Sequence, residues 1–444
     1  MTQKTYKVPT IYNSLSDKTH NSPVTVEVPG SKSITNRALL LATLADGVST
    51  LRGVLFSDDS RHFLKCIQDL GFETTVDEKN KIITVTGHGG EVPLKEASQY
   101  VGSAGTAARF LTAYLGVSQG TYHMAASEQM RKRPMAPLLD SLKELGCEVL
   151  YTDEAAKEGY FPFVLKGHGF SKDTITVNID HSSQFLSALL IASCLSKQDF
   201  TVHTEGSHGM AYIEMTCKMM EQFGVVAERL NETDFLTKSG QTYQALNYQI
   251  EPDVSAACYF YAFAPLLHVP VMVKHVHFDS LQGDVAFIRI LEQMGCTAKD
   301  TEDGILVTPP ETFGFHGVNV DMSACSDQAI TLAAIAPFAD SPTTITGIGH
   351  IRFQESNRIQ AIVTQLTKMG IRCEETKSSI TIYPGAPKPS TVDTYDDHRM
   401  AMGFSLIGLR SEGIIIDNPH CCRKTFENYF EVLEQTVEIL TASH

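Results

Sequence analysis

VTVEVPGSKSITNRALLLA, Val24 to Ala42, changes its hydrophobic period half-way along. Val24 to Val28 alternate β-branched and polar residues, the pattern of a half-buried strand. Pro29-Gly30 stops that strand. Ser31 or Ser33 can cap a helix, and Ala38 to Ala42 supply its apolar body. The turn between them carries Ser31, Lys32, Ser33 and Arg37 to a helix N-terminus. Free backbone N–H groups and the positive end of the helix dipole favour an anion there. Two cations and two hydroxyls at one such place read as a phosphate or carboxylate site, with a solvated loop as the bland alternative. The spacing is not that of the nucleotidase loop Gly-x-x-x-x-Gly-Lys-Ser/Thr.

Outward from this stretch, the same kind of helix recurs. Small-residue-rich helices begin near Ser33, Thr106, Ser182, Asp253, Asp327 and Asp397, roughly 75 residues apart. A second series interleaves with the first. Helix-like segments end in glycine at Gly71, Gly146, Gly224, Gly295 and Gly370, spaced by 75, 78, 71 and 75 residues. Glycine is the natural left-handed stop of a helix. A final helix, Thr425 to Leu440, falls where a sixth copy ends. Two interleaved series predict six copies of one unit, each of strands plus two helices. The helices Ser182 to Ser193 and Asp327 to Ala336 are apolar nearly all round and belong in a core, while the glycine-terminated ones carry more charge. The expected fold is α/β, with two similar domains of three units each. Residues 30–251 form one domain, inserted between 1–29 and 252–444, which form the other. The break lies in the polar stretch Gly240 to Pro252, and Thr5 to Ser16 supply strands to the second domain.

Composition narrows the function classes. At 43% hydrophobic and 20% charged residues the chain is an ordinary soluble globular protein, and 444 residues suffice for two or three cores. A net charge of −15 argues against nucleic acid as a partner. Cations collected at chosen points in an acidic protein point instead to small anionic ligands. Met1 to Lys18 has no apolar run of a signal peptide. The most apolar window, Ala256 to Val273, is interrupted by Pro265, His268 and Pro270, so a buried helix followed by a strand is expected, not a membrane span. Ten scattered cysteines without a Cys-x-x-Cys pair read as reduced thiols of a cytoplasmic protein. No His-Glu-x-x-His arrangement suggests a metal site.

The chemistry-bearing residues sit at the helix starts. Gly102-Ser103-Ala104-Gly105-Thr106-Ala107-Ala108-Arg109 is a second glycine-rich entry, where backbone can approach a ligand and Thr106 can donate a hydroxyl. In Arg131-Lys132-Arg133-Pro134 the proline suits a first helical residue. Ser182-Ser183-Gln184 offers hydroxyls and an amide to sugar or cyclitol hydroxyls and to phosphate, though capping alone explains one serine. Asp321 and Asp327 are each a possible base or cap. Glu355 and Arg358 stand one turn apart on an expected helix, where a surface ion pair is the plain reading. Asp397-His398-Arg399 puts an acid, an imidazole and a guanidinium ahead of an apolar helix, and Arg423-Lys424 leads into the last one. Helix starts facing a cleft between the domains would converge on anionic ligands.

Taken together and in order, these motifs resemble the enolpyruvyl transferases, in particular the branch acting on shikimate-3-phosphate. The resemblance runs over nearly the whole chain. It is carried by Pro29-Gly30-Ser31-Lys32-Ser33, Asn36-Arg37-Ala38-Leu39, Gly105-Thr106-Ala107, Arg133-Pro134, Ser182-Ser183-Gln184-Phe185-Leu186, Glu355 with Arg358, Asp397-His398-Arg399-Met400-Ala401-Met402 and Lys424-Thr425-Phe426. It implies two domains, each of three β-α-β-α-β-β repeats, an inside-out α/β barrel with the active site in the interdomain cleft. It also implies transfer of the enolpyruvyl group of phosphoenolpyruvate to the 5-hydroxyl of shikimate-3-phosphate by addition and elimination, with release of phosphate and no metal or cofactor. By that resemblance Lys32, Gly105, Arg133, Gln184, Arg358, Arg399 and Lys424 hold phosphoenolpyruvate. Ser33, Arg37, Thr106, Ser182, Ser183, Gln184, Tyr212, Asp321 and Gln354 hold shikimate-3-phosphate. Asp321 takes the hydroxyl proton, and Glu355, with Lys424, exchanges a proton with the methylene carbon. Lys32 and a His398 placed near Glu355 complete the catalytic set, and Glu355 needs a raised pKa. Domain closure excludes water, and before ligands arrive like charges hold the domains apart. A monomer with no nucleic-acid or membrane partner is expected.

Four positions depart from the family pattern. Gln354 stands where lysine is common, Ser103 where asparagine is usual and Phe110 where proline occurs. Gly209-Met210-Ala211-Tyr212 retains only the tyrosine of a segment that usually brings serine, lysine or arginine. Losing a charge-assisted contact for a neutral one weakens it from about 1.5–3 to about 1 kcal/mol. A sister enzyme acting on UDP-N-acetylglucosamine uses a cysteine in the counterpart of Thr121 to Pro134, where this chain has none. A non-catalytic phosphosugar-binding relative, or a transferase with another acceptor, remains as the other reading of Gln354 and Gly209-Met210.

Overall fold

The computed structural model describes residues 4–15, 22–152, 156–206 and 209–442. The chain divides into two compact units, Met1–Pro29 with Glu251–His444, and Gly30–Ile250. Ser16, the end of the stretch expected to add strands, lies outside the described residues.

The Gly30–Ile250 unit contains three four-stranded sheets of one topology. In the second, Glu96–Tyr100 runs parallel to Gln119–Ala125, which pairs antiparallel with Phe163–His168, which pairs antiparallel with Glu148–Leu150. Thr174–Asn178, Phe200–Glu205, Asp234–Thr237 and Ala227–Arg229 repeat this order. Parallel strands need a crossover, and the apolar helices Gly105–Gly116 and Gln184–Ser193 supply it. The first sheet takes its parallel strand, Asn247–Gln249, from the far end of the unit and pairs it with Asp46–Arg52.

The other unit follows the same rule. Asn319–Asp321 is parallel to Thr343–Thr346, followed by antiparallel Ile380–Ile382 and Cys373–Glu375. Val24–Val26 is parallel to Val271–Lys274, so the intervening crossover contains the whole 30–250 unit. The strand and helix of the opening stretch therefore belong to different units, and the strand is three residues long rather than five. Thr5–Lys7 pairs antiparallel with Ile414–Asp417, and Tyr12–Leu15 forms one helical turn instead of a strand.

All five helix-stopping glycines adopt φ between +83° and +110°, the left-handed region that glycine enters without a Cβ clash. The small-residue helices are buried all round: Ile34 to Leu44 and all of Gly105–Gly116 are buried. Each such leucine contributes about 1.5–3 kcal/mol relative to exposure. In the Glu251–His444 part, Tyr259 and Phe426 both pack edge-to-face against Tyr429 (ring centroids 5.9 and 5.6 Å). That packing anchors the turn carrying Lys424. The last helix spans Tyr429–Ala442, preceded by a 3-10 turn at Pro419–Lys424, so it starts four residues later than expected.

Candidate active site

In the Gly30–Ile250 unit four helix N-termini are tied together. Ser31 caps Lys32–Leu44 by accepting from the Ile34 N–H. Among the described residues, the helices Gly105–Gly116 and Met210–Gln222 have no side-chain cap, which leaves their first N–H groups for an anion, while the Gln184 N–H at the start of Gln184–Ser193 donates to Ser182 Oγ (3.2 Å). Gln184 Nε2 donates to Thr106 Oγ1 (3.3 Å), and Gln184 Oε1 is buried without a hydrogen bond among the described residues. Gly209 sits at φ +67°, and a Cβ there would come within 2.6 Å of Ser183 Oγ. Its departure from the family pattern thus has a packing reason. The Arg133 guanidinium lies over Gly105, where an added Cβ would come within 2.6 Å of Arg133 Nη1, and Arg133 Nε is buried without a hydrogen bond among the described residues.

Arg37 is 2% exposed. Its Nε donates to Thr216 Oγ1 (2.8 Å), Nη1 to the Ser33 carbonyl (3.1 Å) and Nη2 to the Tyr212 carbonyl (3.3 Å). The cation also lies 5.2 Å from the Phe110 ring centroid, a contact proline could not make. It makes no ion pair among the described residues, and burial pulls it down to about 10. Lys32 Nζ approaches the buried Asp59 carboxylate at 3.7 Å. Arg109 donates to the Gly105 and Pro134 carbonyls and so supports the same loop.

In the Glu251–His444 part a buried ion network joins three helix starts. Arg358 begins the helix Arg358–Lys368 and is 1% exposed. Its Nε donates to Asp397 Oδ2 (2.8 Å), Nη1 to Asp327 (3.0 Å) and Nη2 to Glu355 (2.9 Å). Nη1 also donates to Gln354 Oε1. Burial alone would lower this guanidinium, but Asp397, Glu355 and Asp327 more than offset it and raise it above its ordinary value. Asp397 caps His398–Arg410 by accepting from the Arg399 N–H. The Arg399 side chain donates to Asp327 (2.7 Å) and Tyr259 Oη (3.4 Å). Lys424 Nζ, buried, lies 3.6 Å from Glu355. His398 Nδ1 lies 3.8 Å from Asp397.

Asp321 ends the strand Asn319–Asp321 and is exposed. Hydrogen bonds from Ser323 hold its carboxyl below the usual range, so it is ionised at neutral pH. It forms a local turn and caps no helix. A Cβ on Gly347, at φ +74°, would come within 2.6 Å of its carboxylate.

Several expectations need correction. Pro134 is not a first helical residue: the helix is Ala136–Glu144 and Pro137 occupies its first turn. Glu355 precedes the Arg358 helix, and the pair is buried instead of a surface contact. The cations Arg358, Arg399 and Lys424 do not stand as unmatched like charges, because Asp327, Glu355 and Asp397 balance them three for three. A buried guanidinium without a counter-charge costs several kcal/mol, and at Arg358 Asp327, Glu355 and Asp397 supply it. Sequence reading used Asp327 and Asp397 chiefly as helix starts and missed Asp284, Ser255 and Tyr259 altogether. Nothing in their local pattern distinguishes them from capping or core residues.

Comparison with known proteins is decisive. Residues 18–433 match the family model described as EPSP synthase (3-phosphoshikimate 1-carboxyvinyltransferase). The chain belongs to the EPSP synthase family. A 3-phosphoshikimate 1-carboxyvinyltransferase of Nostoc punctiforme is 43% identical over 421 residues, covering 94% of this chain and 98% of its own. One of a Sulfurovum species is 40% identical, covering 92% and 95%. A solved EPSP synthase of Acinetobacter baumannii has TM-score 0.78 at 25% identity, with 98% of each chain covered. As a member of this family the chain is an enolpyruvyl transferase of the shikimate pathway, acting with phosphoenolpyruvate and shikimate-3-phosphate. Among the described residues no helix is long and apolar enough to cross a membrane.

Proposed function

We propose that the bare helix N-termini and buried cations of the Gly30–Ile250 unit, and the ion network of the other, divide one reaction between them. Lys32, Arg133, Arg358, Arg399 and Lys424 hold the phosphate and carboxylate of phosphoenolpyruvate, with Gly105 and Gln184 close to it. Ser33, Thr106, Ser182, Ser183 and Gln184 take shikimate-3-phosphate. Arg37 serves that ligand from behind, by fixing the Ser33 and Tyr212 carbonyls. Gln354 spends its amide oxygen on Arg358 and keeps its N–H groups for a substrate oxygen.

Asp321 accepts the proton of the 5-hydroxyl as that oxygen attacks C2 of phosphoenolpyruvate. Once the incoming anion has replaced it as counter-charge to Arg358 and Lys424, Glu355 takes up a proton from solvent and delivers it to C3. In the elimination a proton leaves the new methyl group for Glu355, the C2–O bond to phosphate breaks, and Lys32 and Lys424 stabilise the departing charge. His398 keeps Asp397 company behind this set. The observation that carries the reading is the convergence of Arg358, Arg399 and Lys424 on the carboxylates Glu355 and Asp327, which an incoming anion replaces as counter-charge. The enzyme works as a cytoplasmic monomer; its ten cysteines are all unbridged, in keeping with a reducing compartment.

Phosphate release from phosphoenolpyruvate, with and without shikimate-3-phosphate, tests the reading in the natural protein and in Gln354→Lys. Release that requires shikimate-3-phosphate is expected in both, since Gln354 touches Arg358 and no reacting proton. Turnover confined to the lysine variant would overturn the assignment of Gln354. Gly105→Ala gives a second check. Its methyl group displaces the Arg133 guanidinium, so KM for phosphoenolpyruvate is expected to rise by about tenfold, the loss of one charge-assisted contact. An unchanged KM would remove Arg133 from the phosphoenolpyruvate set.

A further inference from the structure

Asp284 lies in the 3-10 turn Gly283–Val285, is 4% exposed, and carries no role so far. Its Oδ2 accepts from Ser255 Oγ and from Gln328 Nε2 (3.1 Å), while Oδ1 is buried without a hydrogen bond among the described residues. Ser255 Oγ in turn faces Arg399 Nη2 at 3.4 Å. A hydroxyl has one proton. Because Ser255 gives that proton to Asp284, its oxygen meets Arg399 as an acceptor. Gln328 is fixed in the same way: its N–H goes to Asp284 and its Oε1 accepts from Thr331 (2.9 Å). A carboxylate buried with one bare oxygen is costly as a mere packing element. Burial, with the nearby Asp327 charge, pushes this carboxyl up to about 6.

We infer that Asp284 is a positioning residue for Arg399: by orienting Ser255 it holds the guanidinium on Asp327 and Tyr259. The inference rests on the assignment of Arg399 to phosphoenolpyruvate. It requires an acceptor oxygen at position 284, not a charge, and it concerns one substrate and not the other.

Steady-state kinetics on the full-length enzyme separate these points. Ser255→Ala and Asp284→Ala are each expected to raise KM for phosphoenolpyruvate by about threefold to tenfold, the scale of one hydrogen bond. KM for shikimate-3-phosphate stays put. Asp284→Asn, whose amide oxygen still accepts from Ser255 and Gln328, retains the natural KM. Should Asp284→Ala fail to fold, Ser255→Ala carries the test alone. Both KM values rising together, or neither moving, or Asn behaving as Ala, overturns the inference. Arg399→Lys is measured alongside. A rise in KM for phosphoenolpyruvate there, with none in Ser255→Ala, rejects the positioning role alone. No rise in Arg399→Lys rejects the Arg399 assignment and the inference with it.

Discussion

Arg358→Leu is expected to destabilise the protein by about 3–5 kcal/mol, the cost of leaving buried charges without their partner, and to abolish turnover. The guanidinium is bonded to three carboxylates, one of them, Asp397, fully inaccessible. Leucine fills most of the volume but satisfies none of them. The raised pKa of Arg358 means that the natural protein cannot relieve the pairing by losing a proton. For a unit of this size about 1 kcal/mol shifts the melting temperature by about 2–4 °C. A thermal melt should therefore fall by about 6–20 °C. A shift of less than about 3 °C would mean that the carboxylates are screened by water and the network adds little.

Glu355→Gln should do the reverse, costing the fold less, since Lys424 alone loses its counter-charge, and removing the chemistry. Arg358 keeps Asp327 and Asp397, and the glutamine oxygen still accepts from Arg358. What is lost is a group that gives a proton to C3 and takes one back. General acid–base catalysis contributes about 10²–10⁴-fold, so kcat should drop by that factor while KM for phosphoenolpyruvate changes little. Exchange of the methylene protons with solvent deuterium, followed by NMR, should fall in parallel. Normal exchange in Glu355→Gln would move the proton-transfer role to another residue.

The two variants separate what Arg358 and Glu355 do, although the residues touch. Their contact explains why sequence reading grouped them while misjudging the setting. Three residues apart, they were expected on one exposed helical turn. Instead Asn357 caps the helix, Glu355 lies outside it, and Arg358 turns inward to Asp397, 39 residues beyond it, while Glu355 meets Arg358 and Lys424. Period and spacing report on neighbours in the chain; they do not reveal a partner brought by another repeat. Phe110 shows the same limit. As a departure from the family it looked unexplained, yet in three dimensions its ring faces the buried Arg37.

What the amino-acid sequence determined by itself was the repeat and the kind of site. Glycine stops at five positions and all-round apolar helices are local properties, set by backbone sterics and by the hydrophobic effect. Ordered motifs at helix starts sufficed to indicate anionic ligands and the family. Only the tertiary structure decided that Val24–Val26 pairs with Val271–Lys274, because strand pairing is a choice among distant partners. It alone decided that the cations of one unit are neutralised by Asp327, Glu355 and Asp397, because a buried charge takes whichever counter-charge the packed helices bring within about 3 Å.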